Sequence, residues 1–271
     1  ASSDTSVHRF KMNAGNLLPE AQPELVVSGF PPQNQHETKS LAFDGSGGMY
    51  VNIGAPSNAC MEKTRTKGSP GMDPCPLLEQ HAGIWKVDPS KTNQHIYTDG
   101  NRYSTGTRNV VALDWNFQDN QLYAVQHGRD QLHQFFPELF SEEESSALPS
   151  EEFLRVTEGA DFGWPYCYYD HMQQKKVLAP EYGGDGQMIG RCGDMTLPVM
   201  GFPGHWAPND VLFYQGDQFP ERYKNGAFIA FHGSTNRAPY PQAGYFVGFV
   251  PFENGAPKGT WEVFADGFTG T

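Results

Sequence analysis

The sequence has few basic residues and no long apolar run, and both absences exclude partners. Its 19 lysines and arginines are outnumbered by 31 aspartates and glutamates, which gives a formal net charge of −12. Nucleic-acid binding depends on Lys and Arg side chains that displace counterions from the phosphate backbone, so nucleic acid is not expected as a partner. Because no continuous apolar segment is long enough to cross a bilayer, the sequence predicts no membrane span.

Charged residues are scarce, and turn-forming residues are abundant instead. Only 18% of the chain is charged, whereas aromatics make up 13%, and glycine and proline number 30 and 21. Short strands joined by many tight turns have this kind of composition. All-β folds of about 200 to 250 residues are commonly single domains. The sequence therefore predicts an all-β fold with one domain over residues 1–271.

The four cysteines lack the close spacing of a zinc site. Cys60 and Cys75 form one local pair, and Cys167 and Cys192 form another. Zinc would require CxxC or Cys/His clusters at short spacing. Of the three possible pairings the local one is favoured, giving two loop-closing disulfides that contribute about 3 kcal/mol each. Since disulfides persist in oxidising compartments, a periplasmic or secreted protein is predicted.

Strand-like segments recur in pairs along the chain. In one kind of pair an apolar strand is followed by a strand that ends in an acidic or small residue and then glycine. These pairs are 7–12 with 24–29, 83–87 with 95–100, 131–136 with 152–159, and 245–252 with 261–267. Pairs of a second kind lie between them, at 40–43 with 49–53, 110–115 with 121–126, and 211–215 with 227–232. The repeating unit is therefore four short strands.

Four antiparallel strands per repeat, with a period of roughly 70 residues, are typical of β-propeller blades. The chain would begin on the last two strands of one blade and continue through three complete blades, with an insertion at 166–200. About three and a half blades leave strand edges open, and open edges pair with other chains unless they are covered. We therefore expect a propeller that is incomplete at both ends of this chain, its missing blades supplied by another segment or subunit.

Polar residues precede equivalent inner strands of two adjacent blades. His36 lies five residues before Leu41, and Arg108 and Asn109 lie five and four residues before Leu113. Inner strands line the channel of a propeller, so these side chains are expected to converge at one mouth of it. A neutral imidazole beside a guanidinium combines a proton acceptor with a charge that stabilises an oxyanion. His36 and Arg108 are therefore the predicted catalytic residues.

A turn in the same blade as Arg108 points to a metal ion. In the string His127-Gly128-Arg129, the glycine allows a sharp turn that exposes backbone carbonyls. Such carbonyls are suitable ligands for Ca²⁺, a hard cation that prefers oxygen. A second His-Gly pair, beginning at His232, follows the corresponding strand of the last blade.

Several strings occur together in a characteristic order: His36 to Gly54, Arg108-Asn109, Gln126 to Gly128, 159–165, and His232 to Arg237. In this order and spacing, residues 24–271 resemble the soluble quinoprotein sugar dehydrogenases, the glucose and sorbosone dehydrogenase family that uses pyrroloquinoline quinone (PQQ). The resemblance implies a six-bladed propeller, of which the chain supplies the middle and later blades. It also implies a sugar substrate, PQQ and Ca²⁺ as cofactors, and a cytochrome, quinone or dye as electron acceptor.

The resemblance also implies a role for each site residue. His36 corresponds to the general base that removes the proton from the sugar hydroxyl, and Arg108 to the arginine that stabilises the quinone oxygen. The carbonyls of Gly128 and Arg129 would hold Ca²⁺. Contacts to the cofactor or substrate are implied for Asn109, His127, His232, Asn236 and Arg237. The position of Trp206 adds one further candidate for the cofactor-binding set. Trp206, which precedes the final inner strand, would stack on the quinone or the sugar.

The chain departs from the family at Thr235, where relatives often carry a tryptophan that offers a stacking surface. The last PQQ-binding arginines of the family would lie beyond Thr271. Two other functions stay open. One is a Ca²⁺-dependent propeller lactonase or esterase, which requires Asp or Glu at several inner-strand heads. The other is a non-catalytic extracellular binding module with the same fold.

Overall fold

The structure, a computed structural model, describes residues 1–19 and 22–269. Its strands are β1 (Ser6–Arg9), β2 (Glu24–Ser28), β3 (Leu41–Phe43), β4 (Met49–Ile53), β5 (Gly83–Val87), β6 (Gln94–His95), β7 (Asn101–Thr105), β8 (Val110–Asn116), β9 (Gln121–Gln126), β10 (Glu151–Val156), β11 (Ala160–Asp161), β12 (Cys167–Asp170), β13 (Lys175–Leu178), β14 (Met200–Phe202), β15 (Pro208–Phe213), β16 (Ala227–Phe231), β17 (Phe246–Val250), β18 (Phe252–Glu253), β19 (Ala256–Pro257) and β20 (Glu262–Ala265). The helices are α1 (Leu132–Phe135), α2 (Glu142–Ala147) and 3-10 turns at Pro76–Glu79, Pro180–Tyr182, Gly190–Asp194, Glu221–Tyr223 and Thr235–Arg237. No helix in the described part of the chain has the length and apolar character to cross a bilayer.

The strands form three four-stranded antiparallel sheets and part of another. Sheet I contains β1, β2 and β6, and sheet II runs β3-β4-β5-β7 with β11 added in parallel. Sheet III runs β8-β9-β10-β14, and sheet IV runs β15-β16-β17-β20. Two small hairpins, β12-β13 and β18-β19, lie outside these sheets. The all-β fold and the four-stranded antiparallel unit are confirmed, whereas the closed six-bladed ring stays a prediction.

Neighbouring sheets pack against each other through aromatic and aliphatic side chains. Tyr50 of sheet II stacks on Trp115 of sheet III with ring centroids 5.4 Å apart. Tyr123 of sheet III meets Phe213 of sheet IV at 4.9 Å. Strand β8 lies between β3 and β15, because Ser40 Oγ donates to the Val111 carbonyl at 2.6 Å on one side and β15 follows on the other. The first strands of sheets II, III and IV are therefore neighbours, as inner strands of adjacent blades would be.

Two predicted strands are wrong, and local chemistry explains both. The segment 131–136 contains helix α1, because Leu132, Phe135 and Phe136 follow a helical spacing and are buried on one face. The fourth strand of sheet II is β7 rather than 95–100. Asp99 Oδ2 accepts from the His95 amide at 2.7 Å, which closes a turn immediately after the short strand β6. Segment 152–159 was predicted as the fourth strand of its blade. It corresponds to β10, which is the third strand of sheet III, and the fourth strand is β14.

Two long insertions lie after β4 and after β10, and each contains one disulfide. Cys60 is bonded to Cys75 and Cys167 to Cys192, so the predicted local pairing is confirmed. Trp164 of the second insertion donates its indole N–H to the Asn58 carbonyl of the first at 3.1 Å. The insertions are therefore in contact, and together they cover one end of sheets II and III.

Candidate functional site

The loops that lead into β3, β8 and β15 meet the turns that follow β4, β9 and β16. The Ala55 amide donates to the Arg108 carbonyl at 2.7 Å, and the His127 amide donates to the Asn109 carbonyl at 2.9 Å. The His232 amide likewise donates to the Ala207 carbonyl at 2.9 Å. These bonds bring the predicted site segments to one end of sheets II to IV, which we call the mouth.

His36 is half-buried at the mouth and has one ring nitrogen engaged. Its backbone has a φ of 55°, a left-handed conformation that is costly for a residue with a Cβ. Gln33 Nε2 donates to the His36 carbonyl at 2.7 Å and holds this loop. The imidazole Nδ1 lies 2.5 Å from the Ala55 carbonyl oxygen. Because a carbonyl can only accept, Nδ1 carries the hydrogen and Nε2 keeps its lone pair as a proton acceptor.

The surroundings of His36 keep the imidazole neutral. Burial lowers its pKa from 6.5 to about 3, and the positive charge of Arg108 acts in the same direction. The hydrogen bond to Ala55 and the charge of Asp130 oppose this shift but do not reverse it. His36 is therefore in the form that a general base requires at neutral and mildly acidic pH.

Gly54 brings the His36 loop against Asn109. A Cβ at Gly54 would lie 2.7 Å from the His36 carbonyl oxygen and 3.2 Å from Asn109 Oδ1. Only glycine allows so close an approach. Asn109 is buried, and its Oδ1 has no hydrogen-bond partner within residues 1–19 and 22–269. An unpaired buried acceptor beside the candidate base is a place where a bound polar group would gain a hydrogen bond.

Arg108 is almost fully buried behind this pair. Its Nη1 donates to the Gly128 carbonyl at 2.9 Å, and its Nη2 donates to Asn58 Oδ1 at 3.0 Å and to Asp130 Oδ2 at 2.8 Å. Its Nε is buried with no partner in the described chain. Burial lowers the pKa of Arg108, and Asp130 opposes the shift, so the guanidinium stays charged.

Asp130 connects four parts of the site, and sequence reasoning missed it. Besides Arg108, it accepts from Asn236 Nδ2 at 2.7 Å and lies 3.6 Å from His205 Nδ1. Burial alone would raise the pKa of Asp130, but the charge of Arg108 and the contact with His205 hold it well below its usual range. A single Asp two residues after Gly128 carries no pattern that would have distinguished it from other surface acids.

Asn58 and His205 were missed for the same reason. Asn58 Oδ1 accepts from the Asp130 amide at 2.8 Å, and its Nδ2 donates to the Asp130 carbonyl at 2.9 Å. His205 Nε2 lies 2.9 Å from the Ser145 carbonyl. Burial would lower the pKa of His205, but Asp130 and the charge of Glu151 raise it. Both residues lie in loops far from Asp130 in sequence, and only the tertiary structure places them beside it.

The predicted metal-binding turn is held from both sides. The Gly128 amide donates to Glu151 Oε2 at 2.7 Å, while its carbonyl accepts from Arg108. The Arg129 side chain forms a buried ion pair with Glu181 at 2.5 Å, so its charge is already matched within the protein. Within the described residues no three His, Cys, Asp or Glu side chains are grouped to hold a metal. The Gly128 carbonyl and both carboxylate oxygens of Asp130 already accept hydrogen bonds, so Ca²⁺ binding by this turn stays a prediction.

The remaining residues that were predicted to contact the cofactor or substrate differ in their surroundings. Asn236 is joined to the mouth by the hydrogen bond that its Nδ2 donates to Asp130. His127 also lies at the mouth, and its Nε2 is 2.9 Å from the Pro208 carbonyl oxygen. His232 is exposed and contacts its own loop through the Gly233 carbonyl at 3.0 Å. Arg237 instead donates to the Ser146 carbonyl at 2.6 Å and so ties its loop to helix α2.

Trp206 lies in an aromatic cluster between strands of sheet IV. Its ring meets Phe231, Phe246 and Trp261 at centroid distances of 5.5, 5.2 and 5.3 Å, each edge-on. The indole Nε1 is buried with no hydrogen-bond partner among the described residues. Trp206 is thus half-buried and packs against the core beside the mouth, so stacking on a ligand stays a prediction.

A family model described as TrAA12-like matches residues 1–266. The chain belongs to the TrAA12-like family. An uncharacterized protein of Borreliella burgdorferi is 29% identical over 134 residues, which is 49% of this chain and 30% of that protein. The TrAA12-like assignment therefore rests on nearly the whole chain, whereas this relative matches only half of it.

Solved structures share the fold at low sequence identity. A Trichoderma reesei structure of carbohydrate-active enzyme family AA12 has a TM-score of 0.73 at 20% identity, covering 95% of this chain and 64% of that one. The apo form of the soluble aldose sugar dehydrogenase from Escherichia coli has a TM-score of 0.58 at 14% identity, covering 96% and 62%. The PQQ-bound aldose sugar dehydrogenase from Streptomyces coelicolor has a TM-score of 0.55 at 18% identity, covering 98% and 61%.

The chain thus spans less than two thirds of the length of these structures. The predicted resemblance to soluble sugar dehydrogenases is confirmed at the level of fold, and the family matched over the chain is TrAA12-like.

Proposed function

We propose that the protein is an oxidoreductase that oxidises a sugar hydroxyl, with His36 as general base and PQQ as hydride acceptor. One observation carries this proposal: His36 donates through Nδ1 to the Ala55 carbonyl and keeps Nε2 as a free proton acceptor beside buried Arg108 and Asn109. Oxidation of an alcohol needs a base for the hydroxyl proton and an acceptor for hydride. No amino-acid side chain accepts hydride, so a redox cofactor must supply that part.

The residues at the mouth fit a polar cofactor in part. Arg108 Nε and Asn109 Oδ1 are a buried donor and a buried acceptor without partners in the described chain. They would contact the bound group, with Asn236 and His127 at the rim. When bound, PQQ supplies a quinone that takes up hydride, and Ca²⁺ polarises it. Arg108 and Arg129 are already matched by Asp130 and Glu181, so the carboxylates of PQQ would need cationic groups from elsewhere.

The lactonase alternative is less well supported by the same contacts. Such an enzyme would hold a catalytic metal through side-chain carboxylates, and no such group of ligands is present within the described residues. The family and the sugar dehydrogenase folds favour the redox function. The two disulfides favour action in an oxidising compartment, which we propose to be the periplasm or the cell exterior. Assays are needed to identify the sugar and the electron acceptor, which would be a cytochrome, a quinone or a dye.

The test is reconstitution of the intact protein with PQQ and Ca²⁺, followed by dye reduction over a panel of aldoses and sugar alcohols. His36→Ala should abolish turnover, because it removes the proton acceptor, while PQQ binding, measured by absorbance, is retained. His133→Ala is the matched control, since its Nδ1 also faces a backbone carbonyl, that of Phe140 at 2.7 Å, and its contacts with Phe140 and Glu142 involve no residue of the mouth. Turnover by His36→Ala at the wild-type rate would contradict the assignment of the base. Absence of PQQ binding and of turnover in the wild type would contradict the function.

A further inference from the structure

A second pocket lies at the end of sheets III and IV opposite the mouth. The turn after β8, the turn after β15 and the β18-β19 hairpin line an open pocket of about 400 Å³. Arg108 and Asn109 immediately precede β8, whereas this pocket begins at Asn116, the last residue of β8. A strand of seven residues spans roughly 23 Å. The pocket is therefore separate from the mouth.

Most of the residues that line the pocket carry amide or carboxylate side chains, namely Asn116, Gln118, Asp119, Asn225, Glu253 and Asn254, and the others are Phe252 and Gly255. Amides supply both donors and acceptors, and carboxylates supply acceptors. Its volume falls within the range of small-molecule sites, although most such sites are largely apolar. A polar lining of this size suits a ligand that carries many hydroxyl groups.

Two buried atoms in the lining residues define the ligand further. Asn116 is 1% exposed, and its Nδ2 donor has no partner in the described chain. Asp119 Oδ1, an acceptor, is also buried without a partner there. Of these two atoms, a cation would pair only with Asp119 Oδ1, and an anion only with Asn116 Nδ2. A hydroxyl group both donates and accepts, so one class of neutral ligand meets both needs.

The walls of the pocket are held in place before any ligand binds. Tyr123 Oη lies 2.8 Å from Asp119 Oδ2 and 2.9 Å from the Gly255 carbonyl, joining sheet III to the hairpin. A Cβ at Gly255 would lie only 2.7 Å from the Asp119 Cβ. Asn225 and Asn254 have φ values of 60° and 52°, which set their turns. A preorganised site loses less conformational entropy on binding.

From these features we propose that this pocket is a non-catalytic binding site for a neutral saccharide. The site would hold one sugar unit at the end of the molecule opposite His36. It does not depend on the redox function proposed above, because its contacts involve none of the residues at the mouth. An open polar pocket of this kind binds a monosaccharide weakly, with a dissociation constant on the order of 1 mM.

The experiment is ligand-observed NMR on the intact protein with neutral hexoses and their β-1,4- and α-1,4-linked tetramers. The double variant Asn225→Gly/Asn254→Gly removes two amides but keeps the left-handed turns, and it should weaken binding at least tenfold. Asn120→Gly is the matched control, since it has a φ of 55° in the turn after β8 and does not line the pocket. It should leave binding unchanged.

The location is tested with His36→Ala, which should retain saccharide binding at this pocket even when turnover is lost. If the wild type binds saccharide but shows no turnover, the saccharide site is supported and only the redox function is contradicted. The proposal is overturned if no saccharide binds, if the double variant binds as the wild type does, or if Ca²⁺ alone binds and the double variant abolishes it.

Discussion

Individual side chains at the mouth are positioned so that particular atoms stay free. Among the described residues, His36 uses Nδ1 for the Ala55 carbonyl and leaves Nε2 unpaired, while Arg108 uses both terminal nitrogens and leaves Nε unpaired. Asp130 balances the charge of Arg108 within the same network. Burying a guanidinium is costly unless a carboxylate pairs with it, and this cost explains why Asp130 accompanies Arg108.

The acid limb of the pH–rate profile should follow His36. The imidazole acts as a base only when neutral, that is, above its pKa, and burial together with Arg108 lowers that pKa from 6.5 to about 3. We therefore expect kcat/KM to show no inflection near pH 6.5 and to fall only as the pH approaches 3. Steady-state kinetics over this range, with stability checked at each pH, makes the measurement. A loss of activity centred near pH 6.5 that depends on His36 would contradict the described environment.

At the level of strands and turns, the mouth depends on how closely two loops approach each other. The turn after β4 passes directly under the loop that carries His36, and Gly54 is the point of closest contact. The spacing of His36 and Arg108 before equivalent strands was enough to predict that the two would be neighbours. The partners Asp130, Asn58 and His205 could not be predicted, because each reaches the site from a loop with no periodic pattern.

Gly54→Ala should reduce turnover much more than it reduces stability. The added Cβ would lie 2.7 Å from the His36 carbonyl oxygen, so the loop must shift by a fraction of an ångström or more. Misplacement of a catalytic group by about 1 Å can cost on the order of 100-fold in rate. Gly193→Ala is the control, since its Cβ would meet only Ile189 at an ordinary 3.5 Å. If Gly54→Ala turns over as fast as the control, the close contact between the Gly54 turn and the His36 loop is not important for catalysis.

In the molecule as a whole, the sheets are held together by aromatic side chains that pack between them at tilted and edge-on angles. Phe153 of sheet III contacts Tyr123, Phe213 and Phe252 with centroid distances of 5.5, 6.4 and 5.9 Å. Such packing positions sheets III and IV relative to each other. The ends of these two sheets form the second pocket and part of the mouth. The alternation of apolar residues predicted the strands, but it could not predict which ring meets which across neighbouring sheets.

Phe153→Ala should lower the free energy of unfolding by about 3 to 5 kcal/mol, because it leaves a cavity at a fully buried position. Phe117→Ala, at a position that is 54% exposed, should change it by less than about 0.5 kcal/mol. Chemical denaturation monitored by fluorescence would compare the two variants. Equal effects would mean that the packing between sheets III and IV contributes little to stability.

Local pattern and short-range chemistry were sufficient to predict the all-β fold, the four-strand unit, both disulfides and the placement of His36 and Arg108 before equivalent strands. These features depend on residues that are close in sequence or that repeat with the period of a strand. The Asp130 network and the second pocket depended on the tertiary structure. Each of them arises where loops from different sheets meet, and such contacts are set by packing and by pairing of buried polar groups rather than by periodicity.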